Sequence, residues 1–162
     1  MANHPPLGCV VARVEIADPN VSWDDMALHY SPDVDAIVIH LTPAEYVIDQ
    51  TFGLEGPSTT FLDVDAAGKG VHIEFLDASD VFACHFYDHD GDVDGRGPLD
   101  WRVRCKSDRL MLSFVADADR RAVAASDMEE GVTMHTDDSG RIVALSIADA
   151  SSVVHRRLRA HL

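Results

Sequence analysis

Apolar residues alternate with more polar ones in several short segments of this chain. In residues 35–41 (DAIVIHL), the apolar side chains Ile37, Ile39 and Leu41 recur at every second position. A period of two residues places such side chains on one face of a β-strand. The same period is found in residues 71–75 (VHIEF), 108–114 (DRLMLSF) and 143–147 (VALSI). The pattern therefore predicts short strands that each bury one face.

These segments belong to a pattern that is written twice. Residues 35–41 align with residues 108–114, and residues 63–79 (DVDAAGKGVHIEFLDAS) align with residues 135–151 (HTDDSGRIVALSIADAS). Both longer segments contain an Asp and a Gly at turn spacing, in DAAG and DDSG, and this composition is typical of a hairpin turn. The sequence therefore predicts a duplicated unit of antiparallel strands.

Each unit is predicted to be a meander of about five short strands with one apolar face. Because the apolar face of each unit must be covered, we expect a mainly β fold in which the two units pack as a sandwich or as paired sheets. The predicted limits are residues 8–80 for the first unit and 81–151 for the second, within one compact pseudo-symmetric domain. Residues 10–17 and 81–88 are predicted as additional strands, and residues 152–162 as a short C-terminal helical tail.

The charge of the chain narrows the classes of partner. There are 28 acidic and 13 basic residues, and the formal net charge is −15. A surface of this sign repels phosphate backbones, so we expect no nucleic acid partner. No apolar segment approaches the ~20 residues that cross a membrane, so we expect no membrane partner either. Cys9, Cys84 and Cys105 fit no CxxC motif and are expected to be reduced thiols of a cytoplasmic protein.

Residues 30–41 (YSPDVDAIVIHL) and 62–79 (LDVDAAGKGVHIEFLDAS) resemble a small bacterial family known as domain of unknown function 2283. The second copy is a degenerate version that lacks the Tyr and the Pro and ends in LSIADAS. The resemblance implies a small β-rich fold. Since the family has no assigned activity, it implies no catalytic residues. Such domains look like companions of small toxin-like proteins, which implies a protein partner.

A run of aspartates between the two copies is a candidate calcium loop. Asp90, Asp92 and Asp94 lie at alternating positions and are followed by Gly95, as in the first half of a helix-flanked calcium loop. The position of the bidentate glutamate is occupied by Trp101. The preferred interpretation is therefore a solvated connection between the copies, with calcium binding as the alternative.

Strand parity gives a second metal candidate. His29, His40 and His72 all fall opposite the apolar positions of the first copy, and three imidazoles can hold zinc with an open coordination position. Their counterparts in the second copy are not ligands of this kind, so scattered surface histidines are the alternative. The paired DAS segments, residues 77–79 and 149–151, are predicted to bond to nearby backbone rather than to form a site.

The sequence has no nucleophile motif and no phosphate loop. We therefore assign no catalytic or cofactor-binding residue and expect no cofactor. The function we expect is noncatalytic binding of a protein partner, or self-association, through an exposed sheet edge or an outer face. The alternative is a metal-dependent enzyme or calcium-binding protein that uses the aspartate loop with calcium or the histidine face with zinc.

Overall fold

A computed structural model describes residues 9–11, 13–16, 27–41, 47–86 and 96–153 of the chain. The described residues form twelve strands and three short helices. In chain order these are β1 Cys9–Val11, β2 Arg13–Ile16, β3 Ala27–Ser31, β4 Ala36–His40, β5 Gln50–Leu54, β6 Thr60–Val64, β7 Gly70–Phe75, α1 Ala78–Val81, β8 Arg102–Lys106, β9 Arg109–Ser113, α2 Ala118–Arg121, β10 Ala124–Glu129, β11 Val132–Thr136, β12 Ile142–Ile147 and α3 Ala150–Val153. The prediction of a mainly β fold is confirmed.

The strands form two sheets with the same strand order. The first sheet runs β1-β3-β4-β7-β6-β5, and the second runs β2-β8-β9-β12-β11-β10. Apart from β2, which lies parallel to β8, neighbouring strands are antiparallel. The last strand of each unit, β7 or β12, returns to the centre of its sheet. As a result, β5 and β10 lie at the sheet edges.

The N-terminal segment contributes to both sheets. The predicted strand at residues 10–17 is two strands, of which β1 joins the first sheet beside β3 and β2 joins the second sheet beside β8. Both sheets would otherwise end at β3 and β8 with unpaired backbone groups. The predicted limit at residue 80 therefore does not separate the two sheets, because residues 13–16 pair with β8 of the second unit.

One hydrophobic core lies between the sheets and takes side chains from both of them. Phe82 belongs to this core and is fully buried. Its ring centroid is 5.0 Å from that of Phe75 in β7, 5.3 Å from that of Phe86 and 4.7 Å from that of Phe114, which follows β9. This aromatic cluster connects the two sheets.

The strand predicted at residues 81–88 does not form in the described part of that segment. Val81 ends α1, and residues 82–86 are all buried. They form only isolated bridges, between Phe82 and Ile142 and between His85 and Pro98. The segment passes through the shared core, where it contacts both sheets and is not continuously paired with any strand. Its apolar composition therefore reflects burial rather than strand pairing.

The two predicted hairpin turns are confirmed. Asp65 accepts hydrogen bonds from the backbone N–H groups of Ala67 and Lys69 at 2.9 and 3.0 Å. Asp137 accepts the equivalent bonds from Ser139 and Arg141, also at 2.9 and 3.0 Å. The glycines that follow, Gly68 and Gly140, have φ of 76° and 77°, a conformation that glycine adopts without strain.

Helix is a minor component. Of the predicted C-terminal helical tail, α3 contains the first two residues, and residues 154–162 lie outside the described structure. Across the described part of the chain, no helix has the length and apolarity needed to cross a membrane.

Candidate functional site

The two DAS segments each bind a distant aspartate. Ser79 donates its backbone N–H to Oδ1 of Asp35 at 3.1 Å, and its hydroxyl donates to the same carboxylate. Ser151 makes the same two bonds to Asp108, with the backbone bond at 2.9 Å. The prediction that these serines bond to nearby backbone was wrong, because their partners lie 44 and 43 residues earlier in the chain. We call these two pairs the aspartate clamps.

Each clamp fixes a hairpin turn to the segment that follows the last strand of the same sheet. Asp35 and Asp108 have positive φ, 50° and 60°, which is uncommon outside glycine and more accessible to Asp than to most residues. Their carbonyl groups accept the N–H groups of Ala78 and Ala150, both at 2.8 Å. The DAS segments are therefore structural, and their serine hydroxyls and the carboxylates of Asp35 and Asp108 are occupied by these bonds.

The candidate calcium ligands Asp90, Asp92 and Asp94 lie outside the described residues, so the calcium site stays a prediction. The residue at the twelfth position of the loop, Trp101, is described. Its indole is buried with its ring centroid 5.3 Å from that of Phe114. An indole supplies no oxygen to a calcium ion. The twelfth position of this loop therefore supplies no side-chain ligand to a calcium ion.

The candidate zinc ligands lie on the outer face of the first sheet. His40 and His72 are direct partners across β4 and β7, with their ring centroids 6.0 Å apart and edge to face. In β3, Ala27 lies opposite His40, and His29 lies two positions further along the strand, opposite Val38. Within the described ranges, no three His, Cys, Asp or Glu side chains form a group that could hold a metal ion. The three histidines are thus neighbours on one face without forming a ligand set.

A polar row crosses the same face, and the sequence analysis missed its central residue. Asp63 in β6 is buried and lies opposite His72 of β7 and Thr51 of β5. Its carboxylate accepts a hydrogen bond from the Thr51 hydroxyl and bonds to Nε2 of His72. Two bonds to a buried carboxylate offset the loss of its hydration. The row therefore links three strands. The sequence signal for it was that Asp63 and His72 both alternate with the apolar positions of their strands and so face the same side of the sheet.

The outer face of the second sheet carries a different pair at the corresponding place. Nε2 of His135 in β11 lies 3.0 Å from the hydroxyl of Ser146 in β12. Such a contact is the start of a nucleophile and base arrangement. However, the Ser146 side chain is only 2% exposed and its hydroxyl is occupied by the bond to His135. The pair is a structural contact, and sequence spacing gave no signal for it because it depends on strand register.

Two of these histidines are held in the neutral form. Burial lowers the pKa of His40, and the neighbouring His72 and His29 lower it further. Burial also lowers the pKa of His135, to which the positive charge of Arg109 adds, while Asp119 acts in the opposite direction. Both imidazoles therefore carry a lone pair at neutral pH.

We expect His40 and His135 to titrate below about 6.5, the usual pKa of histidine. The unfolded chain binds these protons at a higher pH than the folded protein does. The contribution of the two groups to the free energy of unfolding is therefore complete above about pH 6.5, and it is lost as the pH falls through their lowered pKa values. An NMR titration of the histidine ring protons measures both midpoints, with His40→Gln and His135→Gln as assignment controls. Midpoints at or above the usual value would contradict this prediction.

The two described thiols are not candidates for catalysis. Neither Cys84 nor Cys105 forms a disulfide, and both are buried. Burial raises the pKa of Cys84 to about 12, so the thiolate that acts as a nucleophile is absent at neutral pH. The predicted cytoplasmic location stays a prediction.

An exposed apolar surface lies at the edge of the first sheet. Val47, Ile48 and Phe52 are exposed by 83%, 44% and 46%, and Phe52 lies within the edge strand β5. Phe52 is paired with Leu62 of β6, which packs against the core. The apolar face of the sheet therefore continues beyond the core, where nothing in the described residues covers it. We call Val47, Ile48 and β5 the edge surface.

Comparison with known proteins supports part of the predicted resemblance. The family model described as "Protein of unknown function (DUF2283)" matches residues 27–79. No curated protein matches the chain. The match spans β3 to β7 and ends at Ser79 of the first aspartate clamp. The five strands from β3 to β7 are therefore similar to this family, for which the description gives no function.

Proposed function

We propose that the protein is a noncatalytic binding module that associates with a second copy of itself through the edge surface. The observation that carries the proposal is the exposed, apolar character of β5 at the end of a sheet. Strand addition at such an edge is a common mode of protein recognition. The aspartate clamps and the polar row are engaged in structural contacts, and the thiols of Cys84 and Cys105 are buried.

The backbone of β5 supports strand addition. The strand pairs with β6 on one side, and no strand of the described residues lies on its other side. An open edge presents a row of unpaired N–H and C=O groups that another strand can satisfy. The strand sequence QTFGL contains no charged residue, so none of the charges that protect edge strands from pairing is present.

The distribution of apolar side chains supports the same surface. Of the large exposed apolar side chains in the described ranges, Val47, Ile48, Phe52 and Val123 flank or lie within the edge strands β5 and β10. Glu55, directly after β5, donates its N–H to the carbonyl of Met128 near the end of β10 at 3.1 Å, so the two sheet edges approach one another at this point. Clustered exposed apolar residues are typical of interaction sites, whereas single ones are common on any surface.

A second copy of the chain suits this edge as a partner, because two identical edge strands can pair with one another around a twofold axis. In a twofold dimer the same surface of both subunits meets, so β5 pairs antiparallel with β5 of the partner. The contact strand is uncharged, but the two subunits each carry a net charge of −15 and repel one another. Since salt screens this repulsion, we expect an association that strengthens as the ionic strength rises.

Replacement of Phe52 by lysine is expected to weaken self-association by ~10-fold or more, because it removes the central aromatic contact and places a charge on the contact strand. Sedimentation equilibrium over a range of protein and salt concentrations measures the effect. Val34→Lys is the matched control, since Val34 is also exposed but lies in the β3–β4 turn. A monomeric wild-type protein at all concentrations, or equal weakening by both variants, would refute the proposal.

We also propose that the two sheets descend from one duplicated unit. The equal strand order, the paired Asp and Gly turns and the two aspartate clamps support this origin. The second unit has lost the polar row of the first, since His135 and Ala144 stand where Asp63 and His72 pair. Duplication would explain why one unit matches a family while the other has diverged.

A further inference from the structure

The outer face of the second sheet is basic, although the chain as a whole is acidic. Val103 and Cys105 of β8 point into the core, so the alternating residues Arg102, Arg104 and Lys106 lie on the opposite face. Arg109 of β9 is directly opposite Lys106 across a two-residue turn. Four of the thirteen basic residues of the chain are thus brought together on two adjacent strands.

A cavity of about 410 Å³ opens on this face. It is lined by Arg104, Lys106, Ser107, Arg109, Met111 and Asp119. Asp119 forms an ion pair with Arg104 at 3.4 Å. Among the described residues, no carboxylate pairs with Lys106 or Arg109. The lining residues that the structure describes therefore carry an excess of two positive charges, and the volume is within the range of small-molecule sites.

A second cavity of about 150 Å³ lies beside the first and shares Arg104 and Asp119 with it. Ser113 lines this second cavity, is only 3% exposed and has no hydrogen-bond partner for its hydroxyl among the described residues. A buried hydroxyl without a partner is unfavourable, and such groups are rare in folded proteins. The hydroxyl is therefore available to a ligand.

We propose that these two cavities form a binding site for a small phosphate monoester. The excess charge matches a phosphate dianion, which Arg104, Lys106 and Arg109 bind through charge-assisted hydrogen bonds. The organic part of the ligand passes along Met111 toward the second cavity, where Ser113 donates to a polar group. Ser113 lies four positions after Arg109 in β9, a span of about 13 Å. A ligand of nucleotide length fits this distance.

The proposed site is compatible with the expectation that the chain has no nucleic acid partner. The net charge of −15 repels a long polyanion, whereas a single phosphate group contacts only the basic lining. The site also lies on the face of the second sheet, away from the edge surface on β5, so the two proposals are independent of one another.

Methyl NMR of methionine-labelled protein tests the site directly. Met111 lines the cavity, while Met128 and Met134 lie elsewhere in the second sheet and serve as internal references. Inorganic phosphate and adenosine 5′-monophosphate are expected to shift the Met111 methyl signal, and adenosine is not. We expect the nucleotide to bind ~10-fold more tightly than phosphate, through one additional polar contact and its apolar body.

Substitutions test which residues contact the phosphate group and which contact the organic part of the ligand. The double variant Lys106→Gln/Arg109→Gln is expected to weaken phosphate binding ~10-fold or more, while Arg141→Gln, which lines neither cavity, leaves it unchanged. Ser113→Ala is expected to weaken nucleotide binding without affecting phosphate binding or lowering the melting temperature. Phe52→Lys should bind both ligands normally.

Two results would overturn the proposal. If neither anion shifts Met111, or if Arg141→Gln weakens binding as much as the double variant, no phosphate site exists here. If phosphate binds but the nucleotide binds no more tightly, the organic part does not reach Ser113 and the monoester assignment is wrong.

Discussion

Replacing Phe82 by alanine is expected to lower the free energy of unfolding by about 3–5 kcal/mol, the largest effect of any substitution considered for this protein. Phe82 is fully buried and contacts aromatic rings that belong to both sheets, Phe75 and Phe114. The alanine variant loses these contacts and leaves a cavity that the surrounding rings can fill only in part. Chemical denaturation followed by circular dichroism measures the change.

The matched control is Phe52→Ala, because Phe52 is nearly half exposed and has no part in the shared core. We expect it to lower the free energy of unfolding by about 1 kcal/mol or less. The position of Phe82 between the sheets also predicts one cooperative transition for the wild-type protein. Equal effects of the two alanine variants, or separate unfolding of the two sheets, would contradict the single core.

Replacement of Asp35 by alanine is expected to lower the free energy of unfolding by about 2–4 kcal/mol. Its carboxylate accepts hydrogen bonds from the backbone and hydroxyl of Ser79 and from the Tyr30 hydroxyl, the last at 2.9 Å. In addition, its φ of 50° is less favourable for alanine than for aspartate. Thermal and chemical denaturation measure the loss.

Two further variants separate these causes. Asp35→Asn keeps the tolerance for positive φ and one acceptor oxygen, so we expect it to lose less stability than the alanine variant. Asp33→Ala, an exposed change in the same turn, is expected to alter stability by no more than ~0.5 kcal/mol. If the second clamp is equivalent, Asp108→Ala will lower the free energy of unfolding by a similar amount to Asp35→Ala. A small effect at either clamp would show that it does not fix the hairpin.

Strand alternation predicted the sheets correctly because one face of each central strand is buried. In β4 and β7, Ile39 and Ile73 face the core as partners, and Leu112 and Leu145 are partners in the same way in β9 and β12. These positions are determined locally, by the period of two residues. The hairpin turns were predicted for the same reason, since Asp65 and Gly68 act within four residues of one another.

Features that depend on distant partners could not be predicted in this way. Residues 82–86 are apolar like a strand, but their burial comes from both sheets at once. The N-terminal segment supplies one strand to each sheet, because β3 and β8 would otherwise be edge strands with unpaired backbone groups. The clamp between Asp35 and Ser79 connects residues that no local pattern relates. Strand register likewise determines the contact of His135 with Ser146 and the basic cavity.

The proposed functions place two different surfaces on the two units. The first unit has an uncharged and apolar edge, which fits strand pairing with a second copy. The second unit has an edge strand, β10, with an acidic and polar sequence, and an outer face with basic residues. If the units arose by duplication, the edge surface and the basic cavity are properties that each unit acquired or kept separately.

Hydrogen–deuterium exchange at high and low protein concentration tests the edge surface most directly. If two copies associate through β5, the amides of Gln50–Leu54 will exchange more slowly at the high concentration, while those of β10 in the same sample will not change. If exchange at β5 is independent of concentration, or if protection arises at β10 instead, the proposed association through the edge surface is incorrect.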